Sequence, residues 1–197
     1  MTTTVTKVYD SYAQARRAVS ALEGAGFASN DISIVANKHV SREHADVDEV
    51  SDAAKGAGIG GVLGGSAGLL AGLGLLAIPG LGPVVAAGWL ASTAVGAVAG
   101  AAAGGVVGAL IDSGESEDNA HVYSEAVRRG GTLVSVRASD TKASEVREIL
   151  ERFQPIDPAA RSQDYRSQGW SGRFDPKAPA YRPSETELER MRRDWAG

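Results

Sequence analysis

The sequence predicts an α+β fold, and three observations carry that prediction. A strand–helix–strand pattern occupies the start of the chain, and a second one of similar length and order follows residue 130. Between them lies Gly56 to Ile111, a block without one Asp, Glu, Lys or Arg that holds 17 of the 25 glycines. The two polar patterns, joined, suit a four-stranded sheet with helices on one side, a ferredoxin-like βαβ…βαβ arrangement split by the block.

The elements follow in order. Thr4 to Tyr9 (TVTKVY) is rich in β-branched residues and predicts a strand. Asp10 or Ser11 can cap a helix whose inner face is Ala15, Ala18, Val19 and Leu22, and Gly24 and Gly26 stop it. Asp31 to Val35 predicts the second strand, which completes residues 1–37 as the first half. Residues 38–55 are an acidic connector. After the block, residues 112–160 form the second half. Its parts are a helix over Glu115 to Arg129, a strand over Thr132 to Val136, a helix capped by Asp140, and a short final strand beginning in Gln154-Pro-Ile-Asp157. The apolar face of the Asp140-capped helix is Ala143, Val146, Ile149, Leu150 and Phe153. Residues 161–197 are a Pro-, Arg- and aromatic-bearing tail, expected to be mobile until it docks, with a short terminal helix opened by Ser184 and Glu187.

The block, residues 56–111, divides at Pro79-Gly-Leu-Gly-Pro83 into two runs, 57–78 and 84–111. Each is long enough to cross a hydrocarbon core of about 30 Å as a helix. Glycine costs about 1 kcal/mol in a water-exposed helix, a penalty that matters less where lipid forbids unpaired backbone. The runs therefore read as a helical hairpin. Gly56, Gly60, Gly64, Gly68 and Gly72 are spaced by four, and Gly88, Ser92, Gly96, Gly100, Gly104 and Gly108 resume the same phase. Small residues at that spacing line one helix face with no side chain and let two backbones approach closely. These residues are the expected helix-packing and oligomerisation seam.

Rival chemistries fit less well. Gly56-Ala-Gly58-Ile-Gly60-Gly61 matches G-x-G-x-x-G literally, but a polar acidic run precedes it where a strand should stand. A flexible linker would hold fewer Leu, Ile and Val residues. His39 and His44 lie beside Glu43 and Asp46 without the tight helical spacing of a metal pair. No cysteine is present, which removes thiol chemistry and Cys-ligated zinc. Net charge is −4, so no overall basic field points to nucleic acid. The tail's Arg161, Arg166, Arg173, Arg182, Arg190, Arg192 and Arg193 could touch anionic headgroups, but its acids leave it only weakly basic. No triad, nucleophile elbow or kinase pattern appears. The expectation is no enzyme, with no catalytic, cofactor-binding or metal-ligating residue and no cofactor.

The run from Val8 to Phe27 (VYDSYAQARRAVSALEGAGF), followed by Asp31-Ile-Ser-Ile-Val35, resembles the general stress protein 17M-like domain family. Gly130 to Val136, the helix ending at Phe153 and Ile156-Asp157 look like that domain's closing half, so the resemblance spans roughly residues 4 to 160. With the glycine-zipper insert, it implies a bacterial stress-response protein without established enzyme activity. The expected partners are further copies of the chain and membrane lipid, with no nucleic acid and no small-molecule substrate identified. The expected location is the bacterial inner membrane with the polar domains cytoplasmic, the alternative being a cytoplasmic oligomeric scaffold whose hairpins form a buried core.

Overall fold

The computed structural model describes residues 2–37, 74–78, 82–90, 105–175 and 177–178. Strand β1 (Thr2–Tyr9) leads to helix α1 (Tyr12–Gly24), a short 3-10 turn and β2 (Ile32–Asn37). A hairpin of β3 (Gly74–Ile78) and β4 (Gly82–Ala87) follows. Helices α2 (Gly105–Asp112) and α3 (Glu117–Arg128), strand β5 (Thr132–Ser139), and helices α4 (Ala143–Glu151) and α5 (Pro158–Ser167) complete the described elements.

The strands form one antiparallel sheet in the order β1-β5-β2-β4-β3. β5 lies between β1 and β2, pairing Val5 with Val136 on one side and Ile34 with Val134 on the other. β1 and β2 therefore run parallel to each other, one strand apart. Side-chain alternation then builds two cores. Val5, Tyr9, Ile32, Ile34, Val134 and Val136 face α1 and α4. Val8, Val35, Ala86 and Leu133 face the opposite way, towards α2, α3 and α5. The helices thus cover both faces of the sheet, not one as the sequence suggested. Every residue of β2 is buried, which is what a strand covered on both sides requires.

Local signals explain several boundaries. Ser11 caps α1 in a reciprocal capping box with Gln14, and Ala15, Ala18, Val19 and Leu22 are fully buried as expected. α3 ends before Gly130, which takes φ +106°. Asp140 does not cap α4. Lys142 occupies the cap position without a side-chain bond, and Asp140 accepts from Thr3 Oγ1 at 2.5 Å.

The expected final strand is also absent. Ile156 N–H donates one backbone bond to Val8 O on the outer edge of β1 (2.8 Å), and Asp157 then caps α5. Pro155 has no N–H to donate and Pro158 begins the helix, so the segment cannot extend a ladder. The tail's first part is packed, with Tyr165 buried in the α2–α3–α5 core.

The predicted helical hairpin is corrected where it can be seen. Residues 79–81 of its expected turn lie outside the described residues, and the segments 74–78 and 82–87 are strands, with Ile78 opposite Gly82. β4 joins the sheet through β2, Val84 opposite Asn37. Pro83 lies beyond the end of β2, so its missing donor breaks no bond there. Among the described residues no helix is long and apolar enough to cross a membrane.

The Tyr9 hydroxyl donates to Leu150 O at 3.0 Å, tying β1 to α4 inside the core. Burial, with Glu151 adding to it, pushes the Tyr9 phenol far above its ordinary range, so it remains a donor at any physiological pH. Tyr9→Phe is expected to destabilise the fold by about 1 kcal/mol, read as a lower urea midpoint at unchanged slope.

Candidate functional site at the block anchor and the C-terminal seam

The anchor begins at Gly88, where β4 leaves the sheet. Gly88 has φ +84°, and a Cβ built on it would lie 2.1 Å from Ile32 O and 2.7 Å from Ser33 Cα. Only glycine permits that turn against β2. Ser33, fully buried, pins the same corner: its hydroxyl donates to Ala87 O (2.8 Å) and accepts from Leu90 N–H (3.2 Å). Arg137 stacks over the Trp89 ring at 4.0 Å. Thr6 and Ser135 share a further buried hydroxyl contact of 2.9 Å, and Thr6, Ser135 and Ser33 stand in one cross-strand row.

Of the expected seam residues, Gly56, Gly60, Gly64, Gly68, Gly72, Ser92, Gly96, Gly100 and Gly104 lie outside the described residues. The two that are described do not share a role. Gly88 is a sheet corner, not a member of a helical stripe. Gly108 lies on α2, where a Cβ would meet nothing within 4 Å. Val106, Ala109 and Leu110 turn inward from α2, while Ile111 is 40% exposed. The outward side of α2 therefore carries Ile111 and Asp112, with a gap at Gly108.

The chain re-enters the body through α2 and α3, and α3 carries a feature the sequence reading missed. Glu125 is buried and holds two arginines. Arg128 makes a two-pronged pair (2.6 and 2.8 Å), and Arg129 Nε donates to the same carboxylate at 2.7 Å. Arg129 also bonds Gln168 and lies 4.2 Å over the Tyr165 ring, which fastens α5 to α3. Asn37 Nδ2 donates to Arg128 O at 3.3 Å, linking the end of β2. The signal was the i+3, i+4 spacing in Glu-Ala-Val-Arg-Arg. With both cations taken by one carboxylate, the arrangement is a clamp that holds helices together.

The tail arginines that are described have partners within the chain. Arg161 pairs with Asp10 (2.7 Å), Arg173 pairs with Glu117 (2.9 Å), and Arg166 approaches Trp170. Arg182, Arg190, Arg192 and Arg193 lie outside the described residues. So do His39, His44 and the Ser184–Glu187 capping pattern. His121, on α3, accepts from Phe174 N–H through Nδ1. Among the described residues no cluster of His, Asp and Glu could hold a metal ion.

Residues 4–79 match the family model described as heat induced stress protein YflT domain. This is consistent with the general stress protein resemblance, and it covers the part from β1 through β3. The segments read as the closing half, after Gly130, fall outside the matched residues. No curated protein and no solved structure matches the chain.

Proposed function

We propose, from the stress-protein domain at residues 4–79, that the chain is a non-enzymatic bacterial stress-response protein that self-associates through its uncharged, glycine-rich block. The carrying observation is how that block meets the folded body. Its middle is a β-hairpin joined to β2, and its end is helix α2, packed on α3 and carrying the open Gly108. The body therefore fixes where the uncharged chain leaves and returns.

Self-association is favoured over spanning a bilayer. The strands at 74–78 and 82–87 tie the middle of the block to the sheet through β2, where a pair of spanning helices would need an uninterrupted helical run. The α+β body, a five-stranded antiparallel sheet covered on both faces, serves as the display scaffold.

Chemical cross-linking of the full chain tests this reading. The Gly64→Leu/Gly100→Leu double variant is expected to lose the oligomer bands that the parent chain gives. Equal bands in both would overturn it. Carbonate-washed membrane fractionation separates the settings. Protein recovered in the supernatant supports assembly without lipid, and protein that only detergent releases would instead place the block in the bilayer.

A further inference from the structure

The segment after α5 is fastened to α3 by two adjacent contacts, and both run through side chains one helical turn apart. Phe174 N–H donates to His121 Nδ1 at 3.1 Å. Arg173 donates to Glu117 Oε1 at 2.9 Å, and the same carboxylate oxygen is 3.7 Å from His121 Nε2. Trp170 and Phe174 pack on the α2–α3–α5 core from this position. The His121 side chain is only 12% exposed, so its ring nitrogens depend on these neighbours.

We propose that His121 is a proton-sensitive clasp for residues 168–175, closed when the imidazole is neutral and opened when it is protonated. The geometry requires a bare Nδ1, since a backbone N–H points at it, which places the ring proton on Nε2. Adding a proton to Nδ1 sets one donor against another and leaves the Phe174 N–H without its acceptor. The imidazolium also competes with Arg173 for Glu117, the second fastening.

The compensating attraction between imidazolium and Glu117 is weak. Glu117 is more than half exposed, lies at 3.7 Å and is already paired. The other acids of this region are engaged elsewhere: Glu115 accepts from Asn119, Glu125 holds Arg128 and Arg129, and Asp175 accepts from Lys177 N–H. The closed form takes up the neutral imidazole, whose bare Nδ1 is the acceptor that Phe174 N–H needs. Opening lifts two aromatic rings and frees Arg173, converting a packed segment into an exposed basic and aromatic one.

Amide hydrogen exchange on the full chain, corrected for intrinsic rates, tests the clasp at about pH 7.5 and about pH 5.5. The Phe174 amide is expected to lose protection about tenfold at the lower pH, the scale of one part-buried hydrogen bond. The core amides of Val134 and Val136 should hold theirs, which shows that the body stays folded. His121→Gln, whose amide oxygen accepts at either pH, should keep Phe174 protected at both. His121→Phe should leave it unprotected at both. Equal Phe174 protection in the parent chain at the two pH values would overturn the proposal. So would an undiminished pH dependence in His121→Gln.

Discussion

Gly88→Ala is expected to be the most damaging single-methyl change in the described body. The added Cβ would sit 2.1 Å from Ile32 O and 2.7 Å from Ser33 Cα, both backbone atoms that cannot rotate away. The backbone at φ +84° adds strain for any L side chain. Relief requires β4 to move off β2, which breaks the ladder from Ile34–Ala87 to Asn37–Val84 and the Ser33 bonds to Ala87 and Leu90. A loss of about 3–5 kcal/mol is expected, in the range that marks a strained, overpacked site. Urea unfolding monitored by circular dichroism measures it. Gly108→Ala is the matched control, because the methyl enters open space inside a helix. It should be neutral or stabilising by up to about 1 kcal/mol. Equal effects from the two changes would show that the corner is not where the hairpin is fixed.

Glu125→Ala should come close behind. Its carboxylate is about 2% exposed and balances Arg128 and Arg129, themselves 14% and 12% exposed. Removing it leaves two guanidinium groups in a poorly solvated seam, and breaking such a pair from one side costs about 3–5 kcal/mol. The loss should appear together with loosening of α5, because Arg129 is also what reaches Gln168 and Tyr165. Glu125→Gln keeps the shape and two hydrogen-bonding groups but not the charge, and it should fall between the parent and the alanine variant. A glutamine variant as stable as the parent would show that packing, not charge, holds the seam.

Much of the body was legible because polar residues mark which face is out. Ala15, Ala18, Val19 and Leu22 on α1, and Val146, Ile149 and Leu150 on α4, stand out against charged neighbours and are all buried. Within Gly56 to Ile111 that contrast vanishes. Gly74-Leu-Leu-Ala-Ile78 and Val84-Val-Ala-Ala87 carry no polar residue, so neither a two-residue nor a 3.6-residue period can be read. The strand pairing could not be read, since pairing is a long-range choice made by β2. Gly88 shared the four-residue beat by position, while its role comes from the approach of Ile32. Glu125 was hidden for another reason. It lies on a face of α3 buried almost all round, where an acid contradicts the pattern until its two arginines are placed. The second covered sheet face and the docked α5 escaped notice together. The aromatics that seat α5, Tyr165 and Trp170, are spaced by a turn and not by a helical repeat.

The position of β5 sets the order in which this protein can be made. A chain leaving the ribosome presents β1, α1 and β2 first, yet those two strands never hydrogen-bond to each other. Their shared partner emerges only after the whole uncharged block has been synthesised. The segment at 4–79, which matches the stress-protein family model, therefore holds sheet edges that wait for residues 132–139, and the block is synthesised before the body can close. Nascent chains stalled before residue 132 should be captured by chaperones and cut by protease. Full-length chains, with β5 paired and α4 and α5 in place, should resist both.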